Sequence, residues 1–252
     1  MSFEYLVLRG KQDFIFKISK FTIQNNLIDT AHSTEAKKFI FFGSSCIYPK
    51  LAPQPLKEEY LLTGSLEPTN ESYAIAKITG VKACEAIRKQ YGRDFVSLMP
   101  TNLYGPNDNF DLKTSHVLPA MIRKFHEAKL NNNEPVELWG SGTPMREFLH
   151  VDDMADAVVF ALENKLPEHL YNIGTGKDLT IEELAETIQK VVGHNGEIVW
   201  DSSKPDGTPR KLMNVDKMKK AGWQASTNLE DGIESTYNWF LENENKYKQV
   251  KL

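Results

Sequence analysis

Tyr73 and Lys77, in the stretch NESYAIAKITG, stand four residues apart. On a helix that spacing puts both side chains on one face, one turn from each other. A phenol ionises near pH 10 and is a poor proton donor or base at neutrality. A neighbouring ammonium favours the phenolate and brings the group into catalytic range. A hydroxyl beside it, such as Ser44 in GSSCIYP, could hold a carbonyl or alkoxide oxygen against the phenol. Together they form a device for moving a proton on and off a sugar oxygen while hydride moves at the attached carbon. Tyr and Lys at this spacing also occur on many ordinary helices, so the surrounding elements must decide.

Those elements alternate. KFIFF reads as a buried strand from Phe39 to Phe42 that runs into the polar turn GSSC. The segment from Asn70 to Gly92 reads as a helix, with Asn70 as its cap, apolar positions at Tyr73, Ala76, Ala83, Cys84 and Ile87, and Gly92 as its stop. RDFVSLMPTNLYGP reads as a second buried strand ending in a loop at Asn102. SHVLPAMIRKFHEAKL is helical, and EPVELWGSGTPMREFLHV is strand, turn, strand. VDDMADAVVFALEN opens on Asp152 and Asp153, which suit the positive end of a helix dipole. HLYNIGTG is a strand, LTIEELAETIQKVVG a helix with a capping box at Thr180 and Glu183, and EDGIESTYNWFLENE a final helix. The pattern predicts an α/β fold with a mainly parallel sheet and right-handed crossovers. Ligands in such sheets bind beyond the carboxyl ends of the strands. Ser44–Cys46 and Asn102–Tyr104 therefore point at one crevice, with the Tyr73 helix between them in sequence.

Composition excludes several classes. The chain has 252 residues and a net charge of −4, so it lacks the basic footprint of a nucleic-acid binder. No apolar run approaches the roughly 20 residues that span a bilayer. MSFEYLVLRGKQDF carries charges where a signal peptide needs its apolar core. Cys46 and Cys84 have neither metal-ligand spacing nor a disulfide framework. A soluble cytoplasmic protein fits this pattern.

GSSCIYPK, EPTNESYAIAKITG, MPTNLYGPNDNF, SHVLPAMIRKFHEA, WGSGTPMREFLHVDDMADA, YNIGTG and DSSKPDGTPRKLMNV together resemble the extended short-chain dehydrogenase/reductase superfamily, and within it the GDP-L-fucose synthases. The likeness covers residues 22–243. It implies a Rossmann-like sheet with a smaller α/β substrate lobe, NADP(H) as cofactor, and conversion of GDP-4-keto-6-deoxy-D-mannose to GDP-L-fucose by epimerisation at C3 and C5 and reduction at C4. It also implies a homodimer paired through two helices, the Tyr73 helix being one.

By the same resemblance Ser44, Cys46, Tyr73, Lys77 and His116 are catalytic, with Cys46 and His116 exchanging the protons of C3 and C5. Thiol and imidazole ionise near 8.5 and 6.5, which suits both to that work. Phe42, Gly43, Ser44, Ser45, Tyr73, Lys77, Pro100, Thr101, Asn102, Leu103 and His116 would meet the nicotinamide end of the cofactor. Lys124, Trp139, Arg146 and Asp206 would hold the GDP-sugar: Arg146 through its bidentate fork, Trp139 through a flat apolar face, and Asp206 by accepting hydrogen bonds from ribose or base. Lys124 departs from the arginine usual at its position. Cys46 taken alone reads as a core residue; a solvated helix face for Lys124 and core packing for Trp139 are the alternatives to binding. Cys84 reads as core, and His150 as the anchor of a loop before a helix. His32, His126, His169 and His194 have no partner motif.

The superfamily's opening strand, Gly-x-x-Gly-x-x-Gly turn and helix, which place the pyrophosphate on a helix N-terminus, find no counterpart. The first glycines are Gly10 and Gly43. Residues 1–21 then read as an atypical segment, with EYLVL and FIFKI as a short hairpin. Residues 22–115 read as the remaining part of the Rossmann domain, and 116–252 as mainly the substrate lobe with segments returning to the sheet. A catalytically impaired remnant that binds a GDP-sugar or a partner subunit without turnover is the alternative. A 4,6-dehydratase fits poorly, since those enzymes carry acidic residues after the catalytic serine, where Cys46 and Ile47 stand.

Overall fold

A computed structural model describes residues 12–243. In chain order the elements are α1 (Gln12–Ser33), β1 (Lys38–Phe42), α2 (Glu71–Tyr91), β2 (Asp94–Pro100), β3 (Asn102–Tyr104), α3 (Val117–Leu130), β4 (Val136–Trp139), β5 (Met145–Arg146), β6 (Phe148–His150), α4 (Val151–Glu163), β7 (Leu170–Ile173), β8 (Leu179–Thr180), α5 (Ile181–Val192), β9 (Ile198–Asp201), β10 (Arg210–Lys211), α6 (Asp216–Ala221) and α7 (Leu229–Glu242).

Strands β1, β2 and β7 form a parallel sheet in that order, with Phe42 opposite Leu98 and Pro100 opposite Ile173. Side chains on a strand alternate between faces, and β2 uses both. Phe95 and Met99 join Phe41, Val81 and Cys84 on one side. Val96 and Leu98 join Ala157, Ala161 and Ile173 on the other. Helix α2 packs on the first side through Ala74, Ile78, Val81 and Cys84. Its Gly80 lies so close to the Phe41 ring that a Cβ would overlap it. This close approach sets the height of α2 over β1, and with it the reach of Tyr73 and Lys77. Gly92 ends the helix at φ 65°.

A second core gathers Phe110, Ile122, Phe125, Leu184, Ile188 and Phe240 from α3, α5, α7 and the segment before α3. Strands β4 and β9 pair in parallel beside it. The chain passes from the sheet to this half at Thr101: β2 stops at Pro100, and β3 starts at Asn102 and pairs with β6.

Several expectations change. Phe14–Ile18 lie within α1, not in a hairpin; a five-residue alternation is too short to outweigh the helix that continues to Ser33. Residues 4–8 lie outside the described residues. The segment 134–151 forms strand, turn, strand as expected, and its strands find partners outside it: β4 pairs with β9, β5 with β10 and β8, and β6 with β3. Asn70 occupies the cap position of α2, but its side chain makes no capping bond. A 3-10 turn at Pro68–Asn70 precedes the helix, and Glu67 accepts from the Thr69 amide there. Asp153 is buried and accepts from the Ser226 amide and hydroxyl and the Thr227 amide, so it clamps the loop before α7 in addition to sitting in the first turn of α4. The capping box of Thr180 and Glu183 forms as expected. His150 anchors the start of α4, its Nδ1 accepting from the Asp152 amide at 3.3 Å.

Candidate active site

Beyond Phe42 the β1 backbone continues one more rung, the Gly43 amide donating to the Leu98 carbonyl at 2.8 Å. Ser44 is extended (φ −167°, ψ 145°), and its Oγ accepts from the Cys46 amide at 3.2 Å. That bond caps a single 3-10 turn and fixes Cys46 relative to Ser44. From above, α2 delivers two side chains to the same place. The Tyr73 phenol comes close enough to the Ser44 hydroxyl for that group to act on its ionisation. The Lys77 ammonium donates to the Phe42 carbonyl at 2.7 Å and lies 5.1 Å from the centre of the Phe41 ring.

Burial raises the Tyr73 pKa above the ordinary phenol value; the nearby Ser44 hydroxyl opposes this and Cys46 adds to it. The expected lowering of the phenol pKa is therefore not met. Burial outweighs the favourable contacts, and Lys77 has one donor committed to the Phe42 carbonyl. A phenol shifted this way stays protonated at neutral pH, which suits a proton donor to an alkoxide.

A pocket of about 190 Å³ is lined by Asn102, Val117, Trp139, Arg146 and Asp206, among others. Arg146 is half-buried and binds the Met145 carbonyl at 2.8 Å. Burial lowers its pKa and nearby Cys46 opposes that. Trp139 is 67 % exposed, and the Lys204 ammonium sits 5.6 Å from its ring centre. Asp206 accepts from the Ser141 amide at 2.6 Å and hydroxyl at 2.8 Å, the amide bond first in holding its carboxyl below the usual range. This engagement ties the loop carrying Asp206 to the turn after β4. Lys124 does not line the pocket; its ammonium donates to the Glu137 carbonyl at 2.8 Å, two residues before Trp139. His116 is exposed at the cap position of α3, one residue before Val117. It acts electrostatically on Asp108, whose pKa burial raises while the Asn109 amide and His116 oppose the shift.

A larger cleft of about 600 Å³ opens on Cys46 and is lined also by Lys50, Thr69, Asp206, Arg210 and Lys211. Asp206 borders both cavities, so they adjoin. Two residues here escaped the sequence reading. Lys211 reaches the Cys46 sulfur at 3.4 Å. Glu147 is fully buried and its carboxylate accepts from the Gly176 amide at 2.7 Å and the Met213 amide at 2.9 Å. Its backbone carbonyl accepts from Asn102 at 2.8 Å and from the Thr101 hydroxyl at 3.2 Å. The Glu147 pKa rises through burial, against these amide bonds. In sequence its signal was slight, one carboxylate inside MREFLH.

The profile described as "NAD dependent epimerase/dehydratase family" matches residues 11–174. GDP-L-fucose synthase of Escherichia coli (strain K12) is 56 % identical over 246 residues, 94 % of this chain and 76 % of that protein. The chain belongs to the GDP-L-fucose synthase family. GDP-L-fucose synthase 1 of Arabidopsis thaliana is 58 % identical over 221 residues, 88 % of this chain and 68 % of that one. Among solved structures, a GDP-L-fucose synthetase from Naegleria fowleri bound to NADP is 29 % identical and superposes with a TM-score of 0.82, over 92 % of this chain and 76 % of that one. As in this family of epimerases and dehydratases, the fold is α/β with a Rossmann-like parallel sheet. At its carboxyl edge a phenol and an ammonium, Tyr73 and Lys77, stand over the end of β1, and Phe42 is 42 % exposed beside them. Ligands of parallel sheets bind at that edge.

Proposed function

We propose that this chain inverts C3 and C5 of GDP-4-keto-6-deoxy-D-mannose and reduces C4, giving GDP-L-fucose. Bound NADPH supplies the hydride that reaches C4. The hydroxyls of Ser44 and Tyr73 hold the C4 oxygen, and Tyr73 gives its proton to the alkoxide as it forms. Before that, the C4 ketone acidifies the hydrogens at C3 and C5. Cys46 and His116 remove and return those protons, while Ser44, Tyr73 and Lys77 stabilise the enolate. Phe42–Ser45, Pro100–Leu103 and His116 border the nicotinamide. Arg146 holds the diphosphate, Lys124 adds charge beside it, and Trp139 and Asp206 meet the nucleoside. In this reading residues 22–115 serve the cofactor and 116–252 mainly the GDP-sugar.

One observation carries the proposal: the Tyr73 phenol on α2 lies beside the Ser44 hydroxyl, and Ser44 Oγ accepts from the Cys46 amide, so the proton donor and the thiol meet at one turn. A homodimer and a cytoplasmic location belong to the same reading. Ile23 and Leu27 on α1 and Ile75 on α2 are more than half exposed, which supports pairing through these helices. Among the described residues, no helix is long and apolar enough to cross a membrane.

The test is to incubate the purified chain with NADPH and GDP-4-keto-6-deoxy-D-mannose in deuterated water. NADPH oxidation and deuterium at C3 and C5 are expected together. GDP binding by calorimetry, with neither oxidation nor exchange, would overturn the proposal in favour of a binding protein without turnover.

A further inference from the structure

The Cys46 backbone is pinned by Ser44, yet its thiol still has three staggered rotamers open to it. A group from the opposite wall of the cleft selects one. Lys211 Nζ donates to Cys46 Sγ at 3.4 Å, across 165 residues of sequence.

The placement of Lys211 is over-determined. It pairs with Arg146 in register between β10 and β5. Immediately after it, the Leu212 amide donates to Gln54 Oε1 at 2.9 Å and the Leu212 carbonyl accepts from the Leu56 amide at 2.7 Å. The Met213 amide donates to Glu147 at 2.9 Å, and the Asn214 amide to the Leu56 carbonyl at 2.8 Å. The neighbour of Lys211, Arg210, borders the same cleft but is committed to Asp178 through two bonds of 2.6 and 3.0 Å. Lys211 faces the cleft beside it. The carboxylates that share the cleft are committed elsewhere, Glu67 to Lys50 at 3.0 Å and Asp206 to Ser141. An ammonium fixed in this way has the sulfur as its acceptor.

We propose that Lys211 is a positioning residue for the epimerisation steps: its ammonium holds the Cys46 sulfur in the one rotamer from which it exchanges protons with the sugar. The inference rests on the reading of Cys46 given above. Displacing a reacting group by about 1 Å can cost on the order of 100-fold in rate, so losing the tether falls mainly on proton exchange and little on substrate affinity.

The experiment compares Lys211→Met, Lys211→Gln, Cys46→Ser and the double variant Lys211→Met/Cys46→Ser in the full chain, with NADPH and the keto sugar in deuterated water. Thermal unfolding confirms that each folds. Lys211→Met and Lys211→Gln should each lower deuterium uptake about 10- to 100-fold, with KM changed less than about twofold. In the Cys46→Ser background, adding Lys211→Met should lower the residual uptake by less than about twofold. A raised KM, with the same loss whether or not Cys46 is present, would place Lys211 on the diphosphate and overturn the inference. Full exchange in Cys46→Ser alone would instead overturn the reading of Cys46, a result distinguishable from the first.

Discussion

The Tyr48 hydroxyl donates to Asn172 Oδ1 at 2.6 Å, joining the turn that carries Cys46 to strand β7 of the central sheet. Asn172 is fully buried and uses its remaining groups as well: its amide donates to Glu58 at 3.0 Å, and its Nδ2 to the carbonyls of Leu56 and Asn214 at 2.8 and 3.1 Å. One side chain thus locks three segments around the site. Tyr48→Phe leaves the Asn172 oxygen buried without its donor, and an orphaned buried group costs about 1–3 kcal/mol. Urea unfolding should show a loss in that range; an unchanged midpoint would mean the bond contributes nothing net.

Tyr73→Phe removes the proton donor and keeps the ring. Loss of a general acid costs about 10²- to 10⁴-fold, so NADPH oxidation should fall by that order. Deuterium uptake at C3 and C5 should persist in part, because Cys46 and His116 remain. Undiminished hydride transfer would remove Tyr73 from the proton path.

The two cysteines should differ in reactivity. Cys84 is fully buried, and burial pushes its pKa up to about 12, with nearby Ser97 opposing. At pH 8 only about one Cys84 in ten thousand is then thiolate, the form that reacts. Iodoacetamide should modify half-exposed Cys46 in the native protein and reach Cys84 only after unfolding, as peptide mass spectrometry would report. Modification of Cys84 at the same rate as Cys46 would contradict this.

Glu85 gives a pH signature to stability. It accepts from Lys82 at 2.8 Å and Lys89 at 2.7 Å, and these bonds lower its pKa from 4.5 to about 2. A carboxylate depressed on folding stabilises the native state above its unfolded pKa. That contribution is complete above about pH 4.5 and fades as pH falls toward about 2. Glu85→Gln should cost about 0.2–1 kcal/mol at pH 7, the range of exposed pairs, with a gap that narrows below pH 4.5. A gap that stayed constant down to pH 3 would assign the effect to something other than ionisation.

The β1–α2–β2 unit was legible in sequence because its signals are local: an apolar run, a helical period, a glycine stop. The capping box at Thr180 and the His150 anchor were legible for the same reason. The partners of β4, β5 and β6 were not, since strands of two to four residues carry no register of their own and their pairing is settled by contacts far along the chain. Lys211 and Glu147 were hidden differently. In PRKLMN and MREFLH a buried or site-facing charge looks like any surface charge until topology turns it inward. Lys124 and Asp206 showed the converse: suitable types at suitable positions, whose engagement with the Glu137 carbonyl and with Ser141 no local pattern announces.

Thr101, the single residue between β2 and β3, belongs to both halves of the molecule. Its amide donates to the Ile173 carbonyl at 3.0 Å in the central sheet, and its hydroxyl to the Glu147 carbonyl at 3.2 Å, next to Arg146. There is no slack between the part that holds the proton donor and the part that holds the cation. The separation of the two is set by backbone spacing. Under the function proposed above, that makes the crevice a ruler for the span between a sugar carbon and a phosphate, and a nucleotide sugar of the wrong length would be misaligned at the reacting carbon.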